Sequence, residues 1–114
     1  MEKLNLPKIG FGTYGLRGKN CTKSVLAALE EGYRFIDTAE YYNNERAVGK
    51  ALKKTSVPRD EIVVATKLWT DHLGDGKVIP AAERCLKRLD LTYIDLLYVH
   101  WPGGDYRAEV TIPR

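Results

Sequence analysis

Short apolar runs alternate with longer amphipathic segments along the whole chain. Four runs have the length and composition of strands, at residues 9–13, 35–37, 62–66 and 94–99. The third run, IVVAT, is apolar and β-branched without alternation, which is typical of a strand covered on both faces. The pattern therefore predicts the strands of a buried, parallel sheet.

Three segments between these runs repeat apolar residues at helical spacing, at residues 22–32, 44–54 and 78–89. Thr22 is the expected N-cap of the first segment and Gly32 its stop. Pro80 fits the third segment because proline is accepted in the first turn of a helix. Strand and helix thus alternate with a period of about 30 residues, which is the βαβ rhythm of a parallel sheet.

Ionisable residues stand at the ends of three predicted strands. Asp37, Lys67 and His100 follow one another at intervals of 30 and 33 residues. The carboxyl ends of parallel strands share one edge, and in a barrel that edge carries the active site. The spacing therefore predicts that the three side chains converge. Taken singly, each has a commoner structural explanation, as a capping aspartate, a solvated lysine and a hydrogen-bonded histidine.

Residues 32–49, GYRFIDTAEYYNNERAVG, combine a strand end, a loop and the start of a helix. This segment resembles the aldo-keto reductase signature D-T-A-x-x-Y-x-N-E-x-x-V-G. Every fixed position of the signature is filled, by Asp37, Thr38, Ala39, Tyr42, Asn44, Glu45, Val48 and Gly49. The resemblance implies an α/β fold of the (β/α)8 TIM-barrel type and NADPH-dependent reduction of aldehydes or ketones to alcohols.

The same resemblance implies a catalytic tetrad of Asp37, Tyr42, Lys67 and His100. Hydride transfer leaves negative charge on a carbonyl oxygen, which must then receive a proton or a strong hydrogen bond. A tyrosine hydroxyl has a reference pKa of about 10, and a neighbouring lysine lowers the pKa of such a group. By resemblance, Tyr42 is the acid, Lys67 and Asp37 tune it, and His100 orients the substrate.

The glycine-rich turn at residues 10–15 also matches the family, although a plain tight turn is the alternative explanation. By resemblance, Gly12, Thr13, Tyr14 and Asp37 lie near the nicotinamide half of the cofactor. Glycine there would let the backbone approach a ligand closely. Four side chains are expected to line the pocket of a small carbonyl substrate: Tyr14, Trp69, His100 and Trp101. Core packing is the alternative explanation for Tyr14 and for the two tryptophans.

Length restricts this interpretation. The chain has 114 residues, whereas a complete barrel needs about 250. We therefore expect residues 1–114 to form the N-terminal part of the barrel, with about four βα units. Most of the family's cofactor-binding motifs are absent, so we expect this stretch alone to bind NADPH weakly or not at all. The alternative is a non-catalytic fragment or subunit that acts through a partner chain, since open sheet edges invite self-association.

Composition narrows the functional class further. A net charge of +3 without long basic runs predicts no nucleic-acid partner. No apolar stretch has membrane-spanning length, and the first residues lack the apolar core of a signal peptide. Cys21 and Cys85 lack metal-ligand spacing, which predicts reduced thiols in a cytoplasmic protein. A metal-dependent barrel hydrolase is disfavoured because the only histidines are His72 and His100.

Overall fold

The structure is a computed structural model that describes residues 6–74 and 76–100. Its elements in chain order are β1 Phe11–Gly12, α1 Gly18–Glu30, β2 Phe35–Asp37, α2 Glu45–Lys54, β3 Val63–Leu68, α3 Val78–Leu89 and β4 Leu96–Val99. Short 3-10 turns lie in the loops at Glu40–Tyr42, Arg59–Glu61 and Thr70–His72. None of the helices in the described ranges combines the length and apolar character needed to cross a membrane.

The four strands are parallel, and their order in the sheet is their order along the chain. Helix α1 packs against α2, and α2 packs against α3, so the helices form one layer. An open doubly wound sheet would reverse its strand order and carry helices on both faces. Sequential strands with a single helical layer are the winding of a (β/α)8 barrel. The described residues therefore form an arc of such a barrel, as the sequence predicts.

The main hydrophobic core lies between the sheet and this helical layer. Ile36 of β2 and Val64 of β3 are fully buried against the helices, in one cluster with Val25, Leu29 and Val48. Burying a side chain of this size contributes about 1.5–3 kcal/mol. A smaller cluster joins β3 to α3 through Leu68, Leu73, Ala81 and Cys85. The helical layer thus supplies most of the hydrophobic stabilisation in the described part of the chain.

The pleat of the strands determines which side chains face the inside of the arc. Asp37 pairs with Ala65 across β2 and β3, and Lys67 pairs with Tyr98 across β3 and β4. Residues paired in parallel register share a face, and so do alternate residues of one strand. Asp37, Ala65, Lys67 and Tyr98 therefore all face inward. The register places the carboxylate and the ammonium on the same surface of the sheet.

Several predicted boundaries are wrong. Strand β1 covers only Phe11–Gly12 of the predicted run 9–13, and β4 covers only Leu96–Val99 of the predicted run 94–99. Two further differences involve tertiary contacts. Helix α1 begins at Gly18 rather than at Thr22, whose hydroxyl donates a hydrogen bond to the carbonyl of Ala47 in α2 at 2.9 Å. Thr22 thus joins two helices instead of capping one. Strand β3 continues through Lys67, which lies beyond the apolar run, because its backbone pairs with β4.

Gly49 sets the distance between α2 and α3. A Cβ atom at this position would lie 2.4 Å from the carbonyl oxygen of Leu89 and 2.8 Å from its carbonyl carbon. These are backbone atoms of the last residue of α3, so they cannot rotate away as a side chain would. The close packing of the two helices therefore requires glycine here.

We expect Gly49→Ala to lower the free energy of unfolding by about 1–3 kcal/mol, because overpacking against backbone outweighs the roughly 1 kcal/mol that alanine gains over glycine in a helix. Urea unfolding of parent and variant measures the change. Gly12→Ala is the matched control, since nothing lies within 4 Å of the Cβ it would add. An unchanged free energy of unfolding in Gly49→Ala would show that the helices separate without cost.

Candidate active site

Lys67 lies at the centre of a polar cluster at the carboxyl ends of β2 and β3. Its Nζ donates hydrogen bonds to both carboxylate oxygens of Asp37, each at 2.8 Å, and to the backbone carbonyl of Thr38 at 3.2 Å. The Lys67 side chain is 16% exposed and that of Asp37 is 31% exposed. Partial shielding from water makes this ion pair stronger than one on the surface. The ammonium also explains why a strand can end in a carboxylate.

Tyr42 reaches the same ammonium from the loop after β2. Its Oη lies 3.4 Å from Lys67 Nζ, and the same nitrogen is 5.1 Å from the centre of its ring. The 3-10 turn Glu40–Tyr42 directs the chain back over the strand ends. The neighbouring Tyr41 is 57% exposed and stacks on Trp69 instead. Of the two adjacent tyrosines, Tyr42 is therefore the one that meets Lys67.

His100 joins the cluster from the end of β4. Its backbone N–H donates to the carbonyl of Leu68 at 3.1 Å, and its ring stands edge-on to that of Tyr42 with the centroids 5.8 Å apart. Burial lowers the pKa of His100, the Lys67 ammonium lowers it further, and Asp37 acts in the opposite direction. The imidazole is therefore neutral at pH 7, with one ring nitrogen able to donate a hydrogen bond. The structure thus brings the four residues of the predicted tetrad into one cluster.

The turn after β1 lies beside this cluster. The backbone N–H and the hydroxyl of Thr13 both donate to the carbonyl oxygen of Asp37, each at 3.0 Å. Tyr14 is 73% exposed, and its ring stands edge-on to Tyr42 at 5.2 Å. A Cβ atom at Gly12 would have no neighbour within 4 Å. Gly12 and Tyr14 therefore border open space, whereas Thr13 holds the first two strands together.

An aromatic wall stands on the other side of the cluster. The rings of Tyr41 and Trp69 are stacked with their centroids 4.3 Å apart. The ring of His100 is edge-on to both, at 6.1 Å from Tyr41 and 5.5 Å from Trp69. A flat apolar surface next to a hydrogen-bonding ring is typical of a small-molecule site. Trp101, also predicted to line this pocket, lies outside the described residues.

Asn44 fixes the loop beneath the cluster, a role that the sequence pattern did not predict. Its amide nitrogen donates to the carbonyls of Thr13 and Leu16, at 2.8 and 3.0 Å. Its amide oxygen accepts a hydrogen bond from the hydroxyl of Thr38 at 2.5 Å. These bonds tie the turn after β1 to the loop after β2. Two fixed positions of the signature thus serve to hold the tetrad in place.

Glu45 and Arg88 form a second support that the sequence did not reveal. Glu45 Oε1 accepts from Arg88 Nε at 2.7 Å, and Oε2 accepts from the hydroxyl of Thr66 at 2.6 Å. The Glu45 side chain is 2% exposed, so removing one partner would leave a buried charge uncompensated. Thr66 directly precedes Lys67 in β3. Arg88 lies 43 residues from Glu45 along the chain, so only the folded structure identifies it.

The cluster has the chemistry of a site that stabilises a developing oxyanion. Two hydrogen-bond donors, the Tyr42 hydroxyl and the His100 ring, meet at an edge that is open toward Tyr14, and an ammonium lies behind the phenol. Throughout residues 6–74 and 76–100, no three His, Cys, Asp or Glu side chains come close enough to hold a metal ion. A phenol beside an ammonium can donate a proton to an oxygen bound at this edge.

Sequence comparisons agree with this geometry. The sequence model of the Aldo/keto reductase family matches residues 8–113. Methylglyoxal reductase DkgB of Salmonella typhi is 44% identical over 103 residues, which are 90% of this chain and 39% of that protein. Glycerol 2-dehydrogenase (NADP(+)) of Saccharomyces cerevisiae is 48% identical over 98 residues, which are 86% of this chain and 31% of that protein.

Comparison with solved structures also finds aldo-keto reductases. The crystal structure of an aldo-keto reductase enzyme from a Medee basin deep-sea metagenome library superimposes with a TM-score of 0.89 and 45% identity. The match covers 95% of this chain and 40% of that one, so the chain spans less than half the length of these proteins. The predicted partial barrel is confirmed. By its sequence and by its fold, the chain belongs to the aldo/keto reductase family.

Proposed function

We propose that this chain carries the catalytic residues of an NADPH-dependent reductase that converts aldehydes or ketones to alcohols. The supporting observation is the hydrogen-bonded series from Asp37 through Lys67 to Tyr42, at 2.8 and 3.4 Å, with the His100 ring beside the phenol. Related proteins are named as a reductase and as an NADP(+) dehydrogenase, which agrees with this chemistry.

Each residue of the tetrad has a distinct part in the proposed reaction. NADPH, when bound, supplies the hydride. Tyr42 hydrogen-bonds the carbonyl oxygen and gives it a proton as negative charge develops there. Lys67 stabilises the phenolate that remains, and Asp37 holds the ammonium in place through both carboxylate oxygens. The neutral ring of His100 orients the carbonyl by a second hydrogen bond.

The residues beside the cluster fit the nicotinamide end of the cofactor. Gly12 presents bare backbone to open space, and the exposed ring of Tyr14 borders the same space. We assign these two residues, together with Asp37, to that end of NADPH. Thr13 contributes by holding the turn, because its hydroxyl and N–H are already bonded to the Asp37 carbonyl.

Tyr14, Trp69, His100 and Trp101 are our candidates for the substrate pocket. Among the described residues, Trp69 and His100 stand edge-on to each other with ring centroids 5.5 Å apart. A small carbonyl compound fits between a flat apolar wall and a donor group. We also propose a cytoplasmic location, because Cys21 and Cys85 are both free thiols buried in the core.

Tyr42→Phe tests the proposed reaction. In the native polypeptide that contains residues 1–114, we expect this variant to lower kcat for an aldehyde by at least about 100-fold, because it removes the proton donor. The dissociation constant for NADPH, measured by fluorescence titration, should stay within about twofold of the parent, since one hydroxyl is lost and no charge changes.

Tyr33→Phe is the matched control, because Tyr33 packs its ring on Phe11 and has no contact with the cluster. Its kcat should equal that of the parent. Undiminished aldehyde reduction by Tyr42→Phe would show that another group donates the proton.

The pKa of His100 gives a second prediction. We expect the ring to titrate below the reference value of about 6.5. The unfolded chain then takes up the proton first as the pH falls, so the free energy of unfolding decreases below about pH 6.5. An NMR titration of the histidine ring protons measures the pKa, and Lys67→Met should raise it by removing a nearby positive charge.

His72→Gln assigns the two histidine signals, and Lys50→Met is the control because Lys50 lies on the exposed surface of α2. A midpoint at or above 6.5 for His100 in the parent would contradict the electrostatic account.

Strand β4, which is at the edge of the sheet formed by the described residues, supports the alternative function, a chain that acts through a partner. The β4 residues Leu97 and Tyr98 are 41% and 38% exposed. Exposed apolar groups and unpaired backbone on an edge strand favour pairing with another chain.

Sedimentation analysis of the 114-residue chain by itself tests this property. We expect association that increases with protein concentration, and we expect Leu97→Lys to reduce it because a charge blocks the edge. Ile79→Lys is the control, since Ile79 is 70% exposed on α3, away from that edge. A compact monomer that unfolds cooperatively at every concentration would rule the association out.

A further inference from the structure

Glu40 lies two residues before Tyr42, at a position that the family signature leaves variable. Its side chain is only 6% exposed. Oε1 accepts a hydrogen bond from the backbone N–H of Trp69 at 2.8 Å and lies 2.9 Å from Nδ1 of His72. Oε2 accepts from Nη2 of Arg88 at 3.3 Å. One carboxylate therefore connects the turn that carries Tyr42 to the loop after β3 and to α3.

Residues 40–45 form an arch over the strand ends, with Tyr42 between its two feet. Glu40 is one foot and Glu45 is the other, and the guanidinium of Arg88 binds both carboxylates. Between them Asn43 has a left-handed backbone, with φ of 55°, which reverses the chain direction. A single cation on α3 thus fixes both ends of the segment that presents the phenol.

Packing alone does not hold this arch. A cavity of about 900 Å3 borders it, and its lining includes Glu40, Tyr41, Asn43 and Trp69. A segment that faces an open cleft on one side has no packing partner there and can shift unless directed bonds hold it. The hydrogen bonds of the feet therefore act together with those of Asn44 to fix the height of the arch above Lys67.

The buried charge itself indicates more than a stabilising role. Burying a carboxylate costs free energy, and exchanging buried ion pairs for apolar groups is often neutral or stabilising. A charged carboxylate that forms several hydrogen bonds gives the groups it binds a defined position. Glu40 supplies that to two elements at once, the turn with Tyr42 and the backbone of Trp69.

We propose that Glu40, bound to Arg88, is a positioning residue that sets the distance between the Tyr42 hydroxyl and Lys67. Through its bond to the Trp69 backbone, Glu40 also holds Trp69 at a fixed position relative to Tyr42. Glu40 acts through the backbone and through Arg88, since its carboxylate bonds neither the Tyr42 hydroxyl nor the Lys67 ammonium. The proton donor and the wall of the substrate pocket then move as one unit. This inference rests on the reductase function proposed above.

The choice of variant follows from the contacts. Glu40→Gln keeps an oxygen that can accept from the Trp69 N–H, and Arg88 keeps Glu45 at 2.7 Å, so no buried charge is orphaned. An Arg88 variant would leave two buried carboxylates without their cation and would test folding instead. Glu40→Ala removes every contact of the carboxylate. Glu83→Gln is the matched control, because Glu83 is an exposed acid on α3, the helix that carries Arg88.

Two readouts distinguish positioning from stability. In the native polypeptide that contains residues 1–114, we expect kcat for an aldehyde to fall about tenfold in Glu40→Gln and further in Glu40→Ala, because small misplacements of a catalytic group are costly. The dissociation constant for NADPH should stay within about twofold in both variants. In amide NMR spectra of the same protein, the Trp69 signal should move upfield in Glu40→Gln as its charged acceptor is lost, and further in Glu40→Ala. Glu83→Gln should change none of these.

The outcomes separate this inference from the reductase proposal. If kcat per folded molecule and the Trp69 amide signal are both unchanged in Glu40→Gln and Glu40→Ala, Glu40 positions nothing and the inference is wrong. If kcat is unchanged while the amide signal moves, the link to Trp69 exists but does not set the proton donor, and the inference is again wrong. If the parent reduces no carbonyl compound, the reductase proposal fails. A Trp69 amide signal that still moves then supports the structural link alone, and an unmoved signal overturns it as well.

Discussion

The ion pair between Lys67 and Asp37 is the interaction around which the rest of the site is arranged. It joins β2 to β3 on the inward face of the arc, at a point where two apolar strands would otherwise end in isolated charges. Either charged group alone would be destabilising there, because an unpaired buried charge is strongly unfavourable. Together they give the sheet edge a fixed cation. The Tyr42 hydroxyl hydrogen-bonds this cation, and the His100 ring lies close enough to feel its charge.

The fixed positions of the signature divide by physical task. Asp37 and Tyr42 belong to the polar cluster, whereas Asn44, Glu45 and Gly49 hold its surroundings. Asn44 ties two loops together, Glu45 ties α2 to α3, and Gly49 lets those helices approach to backbone contact. Most of the signature therefore describes the support of the Tyr42 hydroxyl, and such support is what the accurate placement of our proposed proton donor requires.

Much of the fold could be predicted from the sequence because its determinants are local or periodic. Apolar runs and helical spacing identified four strands and three helices, and strand ends identified Asp37, Lys67 and His100. The predicted start of α1 was wrong because Thr22 bonds a neighbouring helix, which local patterns do not encode. Glu40 and Arg88 escaped prediction for a related reason. A sequence pattern predicts that a charged residue on a helix or turn faces solvent. The burial of Glu40 and Arg88 instead depends on partners far away in the sequence.

The bonds of Arg88 to the carboxylates of Glu40 and Glu45 also restrict where residues can be inserted or deleted during evolution. Each residue added to a helix turns all following side chains by about 100° around its axis. An insertion within α3 before Arg88 would swing the guanidinium away from both carboxylates at once, whereas an insertion in the loop before Val78 would leave the helix phase intact. Insertions and deletions among relatives should therefore gather in the loop between β3 and α3, and the first eleven residues of α3 should keep a constant length.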